Sequence, residues 1–380
     1  MFAVGMVSGK PGVDDFEILK PEIKEPDEVL VKVKEVGLDG TDFGIVKRAE
    51  PDIAEGRDRL VMGHEMVGVV EEVGNGVKSL VPGDAVVMTV RRGCGICHPC
   101  LHNQSDMCMT GLFTERGIHK LDGFLTQYVV DREQYMVKIP PDLVKLAVFT
   151  EPLSIVEKGI EQIRIIQSRL PWACPHPEHN FQSGEWGGCK TALVVGAGPL
   201  GLLATALIRL AKADTFVMDI VSEDTPKAHL VRHMEAHYID TSAKTPQEIL
   251  DLCCPLSGEL HLILEASGAA ETALRLIPYM SRSSIYVMTG IPRGDLNIQL
   301  DAAQLVRQIV RYNQVVVGSV NSNRKHFEMA LKDMGEVNSR FDGLLNEMIT
   351  HRFQLNDYQQ AFSLSDPRHI KTVIEVEPWD

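Results

Sequence analysis

The sequence predicts an α/β chain of two domains: one a doubly wound parallel sheet with helices on both faces, the other mainly β. Three observations predict this. Between about residues 188 and 320, short apolar runs alternate with helix-forming stretches, as a parallel sheet requires. Residues 1 to 90 instead read as short strands between turn signals. One stretch, Thr191 to Ile220 (TALVVGAGPLGLLATALIRLAKADTFVMDI), sets strand, glycine turn, helix and strand in direct succession. At 380 residues, 44% hydrophobic and 24% charged, the chain has material for about two globular cores.

Taken in order, EVLVKVKEVGLDG alternates apolar and charged positions before a glycine turn, the pattern of a half-exposed strand. LVMGHEMVGVVEEVGNGV and PGDAVVMTV continue the β character, punctuated by Gly-Asn-Gly and Pro-Gly-Asp. Residues 91–117 form a cysteine lobe, and DGFLTQYVVDREQYMVKIP returns to strands. LAVFTEPLSIVEKGIEQIRIIQSRL turns helical after Glu151, with apolar spacing near 3.6 from Leu153. Residues 171–187 are dense in proline, glycine and polar groups; they read as an irregular connection with His176 and His179 exposed to solvent. Beyond Asn321 come two helical stretches, RKHFEMALKDM and LNDYQQAFSL, then a strand-like KTVIEVEP. The domain of residues 188–320 is thus inserted near the end of a mainly β domain formed by 1–187 and 321–380.

The glycine turn carries the first chemical signal. Gly196, Gly198 and Gly201 stand in G-x-G-x-x-G spacing, with Pro199 and Leu200 opening the helix. Glycine allows a sharp turn and close backbone approach to a pyrophosphate, and the helix start offers free N–H groups and positive dipole. A second apolar run ends at Asp219, placed to accept bonds from ribose hydroxyls. With both flanks correct, this is a dinucleotide site of the Rossmann type. Asp219 repels a 2′-phosphate and no arginine follows it directly, so NAD is favoured; NADP stays open through Lys227 or Arg232.

Net charge is −14, which argues against non-specific nucleic-acid binding. No apolar run approaches the roughly 20 residues needed to span a membrane, and the first residues lack the form of a signal peptide, so the cytoplasm is expected. Four of the eight cysteines, Cys94, Cys97, Cys100 and Cys108, lie within 15 residues, and the others are scattered at Cys174, Cys189, Cys253 and Cys254. In an intracellular chain such a cluster indicates metal more than disulfides. Four thiolates in C-x2-C-x2-C-x7-C spacing can close on one tetrahedral zinc with no open position, which makes its role structural; an iron–sulfur cluster uses similar residues, but nothing else indicates electron transfer. A second set, Asp39, His64, Glu65 and Glu151, is dispersed. Each member also has a plain reading as turn residue, buried polar group or helix cap.

GHE at 63–65, CGICHPC at 94–100, EP at 151–152 and GAGPLG at 196–201 together resemble the zinc-dependent medium-chain alcohol dehydrogenases over essentially the whole chain. RRGCGICHPC, FTERGIHKLDGF, EPLSIVEKGIEQI and VGSVNSNRKHFEMA narrow the resemblance to archaeal-type glucose 1-dehydrogenases. It implies a GroES-like catalytic domain beside the Rossmann domain and oxidation of an aldose, foremost D-glucose, at C1 to the lactone. It implies a catalytic zinc on Asp39, His64 and Glu151, with Glu65 as neighbouring or exchanging ligand, and a homodimer or homotetramer. Asp39 stands where the wider group has cysteine, an oxygen donor that binds zinc less tightly. Sugar contacts fall on Thr41, Glu115, Glu151 and Asn321, and Thr41 is placed to pass the proton toward solvent. Glu115 and Arg116 are also readable as a plain surface charge pair. Two positions depart from the pattern: Val90, asparagine in some relatives, and Asp219, where halophilic relatives carry a basic pair. The nicotinamide is expected at the carboxyl ends of the parallel strands, beside Ser267, Thr289, Ser319 and Asn321. The alternatives are a zinc-dependent polyol or secondary-alcohol dehydrogenase, and a non-catalytic nucleotide sensor.

Overall fold

A computed structural model describes residues 1–379 except 173, 175, 183, 254–258 and 293–296. The chain divides into two compact units, Met1–Ser154 with Asn321–Gly335 and Met348–Asp380, and Ile155–Val320 with Glu336–Glu347. The first division falls earlier than residue 187. Residues 155–187 are tied by hydrogen bonds to the parallel-sheet unit: the Gln167 amide donates to Ser283 O (2.9 Å), and Gly187 N to Ala211 O (2.9 Å).

The first unit is built on a seven-stranded sheet in the order Met136–Lys138, Ala85–Met88, Glu65–Val73, Glu28–Leu38, Lys371–Glu375, Ile349–Gln354, with Tyr128–Arg132 also paired to Glu28–Leu38. A three-stranded sheet (Asp14–Glu17, Phe2–Val7, Arg59–Val61) and a small one (Arg91–Arg92, Thr114–Arg116, Lys120–Leu121) complete its β framework. The strand Glu28–Leu38 departs from expectation, because it is buried on both faces rather than half-exposed. Its charged residues are answered by the chain's C-terminal end. Lys34 Nζ donates to Pro378 O at 2.5 Å, and Glu35 accepts from Arg352 (3.1 Å) and the Trp379 indole (3.0 Å). Val31, Val33 and Val36 from this strand join Met62, Met66, Phe124 and Ile374 in the core of the unit.

The second unit holds a six-stranded, all-parallel sheet: His237–Asp240, Asp214–Asp219, Thr191–Val195, Leu262–Glu265, Ile285–Met288, Val315–Gly318. In sequence order this is 3-2-1-4-5-6, the doubly wound arrangement whose switch point lies at the end of the strand Thr191–Val195. The helix Pro199–Leu210 follows that strand, capped by Gly198 and opened by proline at a position where a missing N–H costs nothing. Among the described residues, no helix is long and apolar enough to cross a membrane.

Candidate functional site

Asp39 is more than a turn residue. It is the N-cap of the helix Gly40–Arg48, its Oδ1 accepting from Thr41 N (2.6 Å) and Asp42 N (3.2 Å) while Asp42 caps back onto Asp39 N (3.0 Å). That reciprocal cap fixes the carboxylate and leaves Oδ2, which accepts from the Thr41 hydroxyl at 3.2 Å. His64 follows Gly63, whose φ of +84° favours glycine and whose added Cβ would lie 2.8 Å from Val36. Glu65 opens the strand Glu65–Val73 and pairs with Lys371; both side chains are fully buried. Gly37 makes room for the pair, since a Cβ there would sit 2.1 Å from Glu65 Oε2.

These local structures bring one ligand atom each from Asp39, His64 and Glu65 within 4.8 Å of one another. His64 Nε2 lies 3.6 Å from Asp39 Oδ1, and its Nδ1 lies 3.5 Å from Asp42 Oδ1. Glu151, in the first turn of the helix Thr150–Gln167, stands outside that tight group but interacts electrostatically with all three. The charges are unbalanced: His64, Glu65 and Glu151 are buried, and of the four only Asp39 is partly open to solvent. Burial pushes Glu151 up to about 8, helped by Glu65 and Asp39 and opposed by His64. Burial works against a charged His64, yet Asp42 and Asp39 raise it well above the usual imidazole range. Burial likewise raises Glu65 against the pull of Lys371. Asp42 Oδ1, His64 Nδ1 and Glu65 Oε1 are buried with no hydrogen-bond partner. His64 Nδ1 and Asp42 Oδ1 face each other at 3.5 Å, which leaves the unpartnered Glu65 Oε1 and an excess of carboxylates for a divalent cation to answer, and oxygen and imidazole donors suit zinc.

The second cluster is local. Cys94, Cys97, Cys100 and Cys108 also lie mutually within 4.8 Å, with Sγ–Sγ separations of 3.9 Å (94–100), 3.4 Å (97–100) and 4.0 Å (97–108). Gly93 passes so close that a Cβ would stand 2.4 Å from Cys100 Sγ. Sulfur atoms at these spacings, without disulfide bonds, fit a tetrahedral ion.

Glu115 and Arg116 do not pair with each other. Arg116 bonds Asp131 (2.6 Å), while Glu115 Oε1 receives Arg91 (2.9 Å) and the Asn321 amide (2.6 Å). Asn321 has φ of +59°, a conformation asparagine tolerates better than most residues, and its Oδ1 accepts from Ser322 N at 2.8 Å. Asp131 accepts from both Arg92 and Arg116; burial raises it, but the two guanidiniums hold it well below the usual carboxylate range.

In the parallel-sheet unit, Gly196 has φ of +97°, and a Cβ on Gly201 would stand 1.8 Å from Gly196 O, so both positions require glycine. Asp219, at the end of its strand, accepts from Ala197 N (2.7 Å) and Ile220 N (2.7 Å), which ties it to the glycine turn. Ser267 and Gly268 both donate to Glu265 Oε1 (each N–H at 2.7 Å), and the Thr289 hydroxyl bonds Glu265 O (2.7 Å). Ser319 N donates to Met288 O (2.9 Å), while its buried hydroxyl has no partner.

Comparison with known proteins matches the chain in two segments. The Glucose dehydrogenase C-terminus family matches residues 144–376, and the Alcohol dehydrogenase GroES-like domain matches 25–141. The chain belongs to the glucose dehydrogenase family. Within the zinc-dependent alcohol dehydrogenases, this family member is 35% identical to Glucose 1-dehydrogenase 2 of Vulcanisaeta moutnovskia, and 33% identical to Glucose 1-dehydrogenase of Methanocella arvoryzae, each over 99% of both chains. Its structure is similar to the Haloferax mediterranei glucose dehydrogenase in complex with NADP, Zn and gluconolactone, with TM-score 0.87, 28% identity and full coverage of both chains.

The sequence alone does not point to four residues of this chain that shape the sites. Asp42 was within reach, because Asp39-x-x-Asp42 is capping-box spacing. Gly37 and Lys371 had no local signal, since their role exists only once distant strands pair. Glu265 lies in an apolar strand, and only its three acceptor contacts distinguish it.

Proposed function

We infer that this chain oxidises D-glucose at C1 to the lactone, transferring hydride to a nicotinamide cofactor, NAD before NADP. The observation that carries the reading is the convergence of Asp39, His64 and Glu65 around buried unsatisfied donors and acceptors, in a chain of the glucose dehydrogenase family. Those residues, with Glu151, would hold zinc, which when bound supplies Lewis acidity toward the sugar oxygen. Thr41 donates its hydroxyl proton to Asp39 Oδ2, so its lone pairs are available to accept a hydrogen bond from the C1 hydroxyl and orient it. The C1–H bond then leaves with its electron pair as hydride, and the C1–O bond becomes the lactone carbonyl. The contacts of Glu115 from Arg91 and Asn321 all go to Oε1, which leaves Oε2 to accept from a sugar hydroxyl. A polyhydroxylated substrate suits such a carboxylate better than a simple alcohol does.

For the cofactor, a carboxylate at Asp219, fixed to the glycine turn, supports NAD. Arg232, the nearby cation best shaped for a 2′-phosphate, is already engaged by Glu223 at 3.1 Å. The glycine turn Gly196–Gly201, with Ser267, Thr289, Ser319 and Asn321, would line the cofactor site. The four-cysteine cluster is assigned to a structural zinc. A homodimer or homotetramer is favoured by the edge strand Val315–Gly318 and by Val306 and Val310, which stand exposed on the helix Ala302–Arg311. The described cysteines are free thiols, which supports the cytoplasm.

Initial rates with glucose, galactose, xylose and sorbitol against both cofactors test the reading. Lactone formed from glucose with a higher kcat/KM for NAD is the expected result. Turnover of sorbitol alone would replace it with a polyol dehydrogenase, and no turnover in zinc-replete buffer would reject it.

A further inference from the structure

The connection leading into the strand Thr191–Val195 reads in the sequence as an irregular loop with exposed histidines and unrelated cysteines. Cys254 lies outside the described residues, but Cys174 and Cys189 are neighbours. Their sulfurs are 3.0 Å apart although 15 residues separate them in sequence. His176 is exposed as expected; His179 is half-buried, and its Nδ1 lies 3.8 Å from Cys174 Sγ, with His176 Nδ1 at 3.1 Å. One ligand atom from each of the four residues falls within 4.8 Å of every other.

We propose that Cys174, His176, His179 and Cys189 bind a structural zinc ion that ties the two ends of this connection together. Four features argue for it. Two sulfurs and two imidazole nitrogens are a donor set zinc takes tetrahedrally, and the C-x-H-x2-H-x9-C spacing supplies all four ligands from one segment. His176 N donates to Cys174 Sγ at 3.5 Å, as Cys97 N does to Cys94 Sγ at 3.4 Å in the cysteine cluster; such N–H···S bonds favour a thiolate. Gly188 packs under His179, where a Cβ would meet the ring Nε2 at 2.6 Å, just as Gly93 packs under Cys100. Finally, a plain disulfide would use only the sulfurs and give no reason for two imidazoles to turn toward Cys174.

The segment also needs such a brace. Its apolar anchorage rests on Trp186, buried and stacked on Phe181 at 5.8 Å, and Arg164 holds Phe181 O at 2.9 Å. Trp172, Phe181 and Trp186 form one wall of a cavity of about 190 Å³ whose other side includes Ile163 and His261, so the ion would hold that wall in place.

The test is zinc counted by inductively coupled plasma mass spectrometry on the full-length protein, purified without chelator from zinc-supplemented cells. The Cys174→Ser/Cys189→Ser double variant should carry one zinc equivalent fewer per chain, and His176→Ala/His179→Ala should do the same, with glucose turnover at 25 °C unchanged and faster chymotrypsin cleavage after Trp172, Phe181 or Trp186. Unchanged zinc in both variants overturns the proposal. If the variants do not fold, thiol alkylation of the native protein decides. Cys174 and Cys189 that become reactive only on zinc removal by chelator support the site. A 2 Da mass deficit lifted only by reductant shows a disulfide and overturns it, as does iron with visible absorbance at these residues.

Discussion

The pocket around His64 and the cysteine cluster both gather metal-binding donors in the same unit, by opposite routes. Asp39, His64 and Glu65 come from a helix cap, a glycine turn and a strand start; His64 and Glu65 are buried, where charge is costly, while Asp39 is partly exposed. The four cysteines come from one 15-residue loop and remain partly open to solvent. Proton affinities are displaced in both places, but only the pocket around His64 also keeps buried side-chain atoms without a hydrogen-bond partner. The four cysteine sulfurs gather on one another, so an ion held by all four would have no open position for a substrate. Incomplete satisfaction in the first fits the reactive role proposed for it, and the local origin of all four ligands in the second fits a brace.

The comparison can be broken by variants in each. His64→Ala should remove the metal's stabilisation of the sugar alkoxide, several kcal/mol or roughly a 10³-fold fall in kcat/KM for glucose, while NAD still binds. Steady-state rates beside cofactor titration check it; full activity would mean the pocket is not the reactive centre.

Next in size is Asp131, whose two arginine partners flank the cysteine cluster. Asp131→Asn leaves both guanidiniums uncompensated in a buried place and should cost about 3–5 kcal/mol. The folded-state value of Asp131 is depressed, so its contribution is fully present above the unfolded value near 4 and is lost progressively as pH falls from there toward the depressed folded value. Chemical denaturation from pH 7 to pH 3 should therefore show the wild type converging on the variant.

Cys97→Ser should lower stability by about 2–3 kcal/mol, roughly 5–10 °C in Tm, with one zinc lost and kcat at 25 °C altered far less. Calorimetry and metal analysis read this directly, and an equal loss of turnover would erase the distinction between brace and reactive pocket. The smallest effect is expected in the other unit: Asp219→Gly should lower the NAD-to-NADP ratio of kcat/KM by about tenfold, or 1.4 kcal/mol. A ratio that stays put would mean that residue does not read the ribose.

Several of these features are legible in the sequence alone. The glycine turn from Gly196 to Gly201 and the cysteines from 94 to 108 are encoded within a few turns of chain, where spacing dictates which atoms can meet. The dispersed pocket is legible only through resemblance, since nothing in the spacing of Asp39, His64 and Glu65 brings them together. The half-exposed reading of Glu28–Leu38 fails because alternation reports one covered face and says nothing of the C-terminal strand and tail that cover the other. His176 and His179 look like solvent residues because their sulfur partners stand on either side of an irregular segment with no periodicity to read.

By itself the sequence determined the two architectures and the short-range sites, because backbone propensity, glycine freedom and close spacing act within a few residues. Only the tertiary structure decided that Lys371 neutralises Glu65, that Gly37 leaves space for that pair, and that Cys174 meets Cys189. Those contacts depend on strand register and loop closure across many residues, and register is set by the packing of the whole sheet rather than by any one stretch of it.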